Sequence, residues 1–145
     1  MLRCTLDRST AQRAATSVSA RRRAAEPPLV LVVDDEPGIV EFLRYALEDS
    51  GYRVAIARDG LDALSQIAQQ RPDFVLTDLM MPRLDGWELC RRLRADETMR
   101  NVPILAMSAV SSRGIDADAF LAKPFEMDDL LDTLRRCAAR RDGHA

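Results

Sequence analysis

One lysine, one histidine and one tryptophan stand in the 145-residue chain. No apolar run approaches the roughly 18 residues that cross a bilayer, because charges interrupt even the longest strand-like stretches, so membrane insertion is not called for. Three cysteines, Cys4, Cys90 and Cys137, lie far apart with no CxxC pair. That spacing leaves out a zinc site and a disulfide framework and suits reduced thiols in a cytoplasm. Neither a GxxxxGK loop nor a GxGxxG turn occurs, which removes the usual phosphate cradles of nucleotide-binding enzymes.

What is present fits one globular domain with an ordinary core, at 47% hydrophobic and 30% charged residues. Charge is unevenly placed. Six arginines against Asp7 and Glu26 make residues 1–28 basic, whereas residues 29–145 carry 15 basic and 21 acidic side chains. An acidic body argues against nucleic acid as its main partner. The basic stretch, rich in Ala, Ser and Arg and closed by Pro27-Pro28, has no sustained apolar period and is expected to be a disordered tail. Its composition matches that of organellar transit peptides, and an over-extended start or a simple linker would look the same.

The body alternates strand and helix patterns. Leu29 to Val33 is a continuous apolar run, rich in β-branched valine and suited to burial on both faces, and Pro37 falls where a first helical turn tolerates it. A helix follows to about Ser50, with Ile39, Val40, Phe42, Leu43, Ala46 and Leu47 at helical spacing and Gly51 as its stop. Tyr52 to Ala57 reads as strand two. Asp59 caps a helix that ends near Gln70, with Leu61, Leu64, Ile67 and Ala68 expected inward. Phe74 to Thr77 is a third strand ending in Asp78, before the turn-like stretch from Met81 to Gly86 and a helix over Trp87 to Arg94. Val102 to Met107, Phe120 to Ala122 and a helix from Glu126 to about Arg140 complete five βα repeats, implying a parallel sheet between two layers of helices. The domain spans 29–141, leaving 142–145 as a short tail.

In such folds function gathers beyond the carboxyl ends of the strands. Strand one ends in Asp34-Asp35, strand three in Asp78, strand four in Ser108 and strand five in Lys123-Pro124. Carboxylates converging there repel one another by roughly 4 kcal/mol per pair at about 4 Å and an effective dielectric of about 20, so they want a cation. All-oxygen ligands favour Mg²⁺ over zinc. Capping of the next helix is the plainer role open to Asp34 and Glu36. Lys123 is the only lysine among 21 basic residues, which points to a site that wants a compact ammonium in place of a guanidinium. A salt bridge to Asp78 is its plainer role and is compatible with the other. Cys90 and the Met80-Met81 pair fit packing better than redox or metal chemistry.

These residues resemble a known family, the response regulator receiver domains, over about residues 29–140. The resemblance rests on VLVVDDE (30–36), VLTDLMMPRLDGWEL (75–89), LAMSA (105–109) and FLAKPF (120–125), in order and each at a strand end. It implies a doubly wound α/β fold, flavodoxin-like, with five parallel strands in the order 2-1-3-4-5. It also implies that Asp78 is the phosphoacceptor, that Asp35 and the carbonyl of Met80 ligate Mg²⁺ directly, and that Asp34 does so through water. Ser108 and Lys123 would hold the phosphoryl oxygens, Ser108 and Phe120 would be the switch pair, and Lys123-Pro124 would be a cis peptide. Such a domain is not an enzyme in the ordinary sense, although it assists its own phosphorylation and dephosphorylation. The donor would be a histidine kinase or a histidine phosphotransfer protein, since His144 lies at the end of the chain. Output would pass by contact to a downstream protein.

Two features depart from the family. Only 14 residues separate Ser108 from Lys123, so the fourth helix is expected to be short or irregular, which puts ordinary dimerisation through that face in doubt. Phe120 stands where tyrosine is commoner. A receiver-like adaptor indifferent to phosphorylation is the alternative reading. An aspartate-nucleophile phosphatase is a weaker one, because Asp78 is followed by Leu79 and Met80 and not by the DxD spacing of that class.

Overall fold

The computed structural model describes residues 26–110 and 113–143. All but three residues of the basic tail expected over 1–28 therefore lie outside the described residues. In chain order the elements are β1 (Leu29–Val33), α1 (Pro37–Asp49), β2 (Arg53–Ala57), α2 (Gly60–Gln69), β3 (Phe74–Asp78), α3 (Gly86–Ala95), β4 (Ile104–Ser108), β5 (Ala119–Ala122) and α4 (Met127–Gly143). All five strands are parallel and form one sheet in the order β2-β1-β3-β4-β5.

Strand alternation builds two cores. In β1, Val30 and Val32 face Leu43 and Leu47 of α1 and Leu130 and Leu134 of α4. Leu31 and Val33 face the other way, toward Ala63 of α2 and Leu89, Cys90 and Leu93 of α3. Because both faces are covered, β1, β3 and β4 are buried throughout, which accounts for their unbroken apolar runs. Each buried leucine contributes about 2 kcal/mol of transfer free energy, and the polar carboxyl ends of the strands are carried on that foundation.

Local signals set the helix ends. Pro37 opens α1, and Gly51 beyond its end adopts φ +96°, a left-handed conformation that suits glycine. Asp59 caps α2 by accepting from the amide of Asp62 at 2.8 Å, and Asp85 caps α3 by accepting from Glu88 at 2.9 Å.

Three expectations need correction. Among the described residues no helix stands between β4 and β5, so four helices replace the five repeats expected. The connector is held by polar bonds from α3 instead: Trp87 Nε1 donates to the Arg113 carbonyl at 3.0 Å, and Arg94 reaches the Asp116 carbonyl at 3.1 Å and Asp118 Oδ2 at 2.7 Å. Leu61, read as inward, is 45% exposed, and Phe42, counted in the apolar stripe of α1, is 56% exposed, because each lies at the edge of a stripe that the sheet does not reach. Ala68 is exposed as well. Strand four starts at Ile104 and not Val102, since Pro103 lacks the amide a central strand needs.

Two glycines bring backbones close together. A Cβ on Gly86 would lie 2.4 Å from the Asp78 carbonyl oxygen, and one on Gly60 would lie 2.6 Å from that of Leu84. Neither neighbour is a flexible side chain that could move aside. Gly86→Ala is expected to destabilise the protein by about 2 kcal/mol, read as a lower urea midpoint with an unchanged slope.

Candidate functional site

The register of the sheet brings the sequence-predicted residues to one rim. Asp78 is the last residue of β3 and pairs with Met107, so Ser108 stands one residue further along β4. Ser108 pairs with Ala122, placing Lys123 just beyond β5. The amide of Lys123 donates to the Ser108 carbonyl at 2.9 Å, and Lys123-Pro124 is cis, as the resemblance implied. Asp34 follows β1 directly, its amide donating to the Ala57 carbonyl at 3.1 Å.

Oxygens of Asp34, Asp35 and Asp78 lie within 4.8 Å of one another. Asp34 and Asp78 are buried and Asp35 is exposed. Lys123 Nζ sits 3.2 Å from Asp34 Oδ2 and 3.7 Å from Asp78 Oδ2, so one ammonium serves two carboxylates. Each buried carboxylate also accepts a backbone amide: Asp34 Oδ1 from Glu36 at 3.0 Å and Asp78 Oδ1 from Leu79 at 2.8 Å. Burial pushes the Asp78 carboxyl above its ordinary value, Lys123 works against that, and the Asp34 charge adds to it. Three carboxylates against one ammonium leave surplus negative charge on an all-oxygen donor set, which fits a hard divalent cation.

The remaining candidates surround this cluster. Ser108 is buried and its Oγ accepts from the Val110 amide at 3.1 Å. Phe120 is half-buried and pairs with Ala106, two residues short of the rim. Met80, two residues past Asp78, has a side chain 59% exposed, so only its backbone is suited to the site. Glu36 caps α1 by position but makes no side-chain cap bond. Burial pushes the Cys90 thiol up to about 12, which agrees with packing and not redox chemistry.

Sequence reasoning missed Arg83. Its Nε donates to Asp59 Oδ2 at 2.8 Å, tying the loop after β3 to the start of α2. The two residues are 24 apart, and the only sequence signal was that Arg83 lies in the turn between Asp78 and the next helix.

Comparison with known proteins gives the same family from several directions. The family model described as "Response regulator receiver domain" matches residues 30–135. The chain is 47% identical over 121 residues to "Response regulator MprA" of Mycobacterium sp. (strain KMS), covering 79% of this chain and 52% of that protein. The chain thus spans about half the length of the curated relatives it matches. Among solved structures, chemotaxis response regulator CheY4 of Vibrio cholerae aligns with TM-score 0.72 and 32% identity, covering 77% of this chain and 98% of that one. The receiver domain of a sensor histidine kinase from Pseudomonas aeruginosa, with magnesium ion coordinated in its active-site cleft, aligns with TM-score 0.71 and 34% identity over 76% of this chain and 96% of that one.

The charge crowding has a measurable cost. Asn at position 78 keeps an acceptor for the Leu79 amide and removes one charge, so Asp78→Asn is expected to raise stability in EDTA by about 1 kcal/mol at neutral pH. Because folding raises this carboxyl above its ordinary 3.8, the wild type loses stability as pH climbs from that value through the raised one. The gap between variant and wild type, measured by urea denaturation, should open over that window and stay constant above it.

Proposed function

The chain belongs to the response regulator receiver domain family, and from that membership we propose that it is a phosphorylation switch in which Asp78 accepts a phosphoryl group from a phosphohistidine partner with Mg²⁺ bound alongside. The observation that carries this reading is the cluster of Asp34, Asp35 and Asp78 oxygens within 4.8 Å of one another, with Lys123 Nζ 3.2 Å from Asp34 and 3.7 Å from Asp78. In this reading Asp35, Asp78 and the Met80 carbonyl would hold the cation directly and Asp34 would do so through water. The magnesium in the cleft of the Pseudomonas receiver supports Mg²⁺ as the cation. When bound, Mg²⁺ supplies positive charge against the transferring phosphoryl oxygens.

The chain's own groups do the rest. An Asp78 carboxylate oxygen forms the new O–P bond as the P–N bond of the phosphohistidine breaks, and the bonding pair leaves with the imidazole nitrogen. Lys123, already between Asp34 and Asp78, needs only a small shift to pair with a phosphoryl oxygen. Little acid-base work is required, so positioning and charge stabilisation carry the step. Ser108 gives up its bond with the Val110 amide to donate its hydroxyl to the new anion, and Phe120 turns inward behind it.

The donor we assign is a histidine kinase or a histidine phosphotransfer protein in the cytoplasm. In this reading the receiver unit, residues 29–141, passes its output by contact with a downstream protein, and the acidic balance of residues 29–145 speaks against direct contact of that unit with nucleic acid. Among the described residues no helix is long and apolar enough to cross a membrane.

Intact mass after incubation with acetyl phosphate and Mg²⁺ tests the switch. Wild type should gain the mass of a single phosphoryl group, and Asp78→Ala, or wild type in EDTA, should gain none. An unchanged wild-type mass, or an equal gain in Asp78→Ala, would sink the proposal.

A further inference from the structure

The loop over residues 79–85 leaves β3 at Asp78 and doubles back to α3 at Gly86. Its own closure is made by the Gly86 amide on the Leu79 carbonyl at 2.9 Å and the Leu84 amide on the Pro82 carbonyl at 2.7 Å. Three further bonds fix it to the start of α2. The Gly60 amide donates to the Leu84 carbonyl at 3.2 Å, and the Arg83 guanidinium grips Asp59 Oδ2 through Nε at 2.8 Å and through a second nitrogen.

This ion pair is built at a cost. Arg83 holds φ at +68°, in the left-handed region, a strained conformation for a non-glycine residue. Asp59 is only 3% exposed, and its other oxygen is committed to the Asp62 amide. That amide bond is the main cause holding its carboxyl below the usual carboxylate range, with Arg83 adding to it. Arg83 is the ion-pair partner of that carboxylate, so losing the guanidinium is unfavourable. Met80, by contrast, is 59% exposed, so packing of its own side chain does little to fix its backbone.

We propose that the Asp59–Arg83 ion pair is a latch that positions the loop bearing the Met80 carbonyl, and thereby lets the acidic site discriminate Mg²⁺ from a larger cation. The inference rests on the metal-site assignment of the proposed function. Arg83 and Asp59 are positioning residues, acting through the loop without touching the metal. Mg²⁺ demands near-ideal octahedral ligands at about 2.0–2.1 Å, whereas Ca²⁺ tolerates irregular ligands at about 2.3–2.6 Å. A loosened carbonyl therefore penalises Mg²⁺ more than Ca²⁺.

Calorimetric titration of the full chain with MgCl₂ and separately with CaCl₂ tests the latch, using wild type, Arg83→Gly, Asp59→Asn and the double variant. Glycine is at ease at φ +68°, and asparagine keeps the acceptor that caps α2, so each variant removes the ion pair by an independent route. Each single variant should bind Mg²⁺ about tenfold more weakly, the range expected for groups that orient a metal ligand. Ca²⁺ binding should change by no more than about threefold. The double variant should match either single one, because both break the same bond. Unchanged Mg²⁺ affinity, or parallel weakening of both cations, overturns the latch while leaving the metal site in place. Wild type that binds neither cation overturns the metal-site assignment and the latch together.

Discussion

Holding three carboxylates within 4.8 Å of one another at the rim of a sheet is uphill, and much of this molecule is arranged to bear that cost. Parallel strands deliver β1 and β3 to the same rim, and two hydrophobic layers keep those strands from moving apart. The single lysine arrives from the edge strand and is anchored through its own backbone to Ser108 on β4. Its compact ammonium reaches Asp34 and Asp78 together, which a planar guanidinium with its fixed fork would do less readily. The site is thus strained by charge and supported by packing, a common relation between stability and activity.

Acidic residues at the opposite edge behave differently. Asp73 Oδ2 accepts from the amide of Leu29 at 2.8 Å, and Asp118 Oδ2 accepts from the amide of Ile104 at 2.7 Å. Both amides open strands and need acceptors, so these carboxylates meet a local shortage. At the carboxyl edge the strand ends present carbonyls, which offer a carboxylate nothing to accept from. Asp34 and Asp78 find only turn amides, and beyond those depend on Lys123 or on a cation. The same side chain is therefore structural at one end of the sheet and available for chemistry at the other.

The site was legible in the sequence because its residues sit at strand ends and the strands declare themselves as apolar runs. Asp34, Asp35, Asp78, Ser108 and Lys123 all reach the rim expected of them. Less legible was anything that depends on how far an element is covered. Phe42 and Leu61 obey helical spacing and still face out, since periodicity gives the centre of an apolar stripe and not its width. Pairs distant in sequence were invisible: Asp59 showed its capping role, but its bond to Arg83 exists only once β2 and β3 are placed. A short or irregular fourth helix was anticipated from loop length, whereas the side chains that hold the connector were not, because Trp87 and Arg94 bond to groups far from them in sequence.

That replacement changes the kind of stability the connector has. A helix there would bury apolar surface, and its opening would carry the heat-capacity signature of hydration. Residues 113–117 are held instead by an indole N–H and a guanidinium, with only Ile115 and Ala117 packed against the core. Opening of such a segment exposes little apolar area, so its free energy follows ionic strength more closely than temperature. In amide exchange it would behave as a small unit apart from the sheet, releasing its protons under mild conditions that leave β1 and β3 protected.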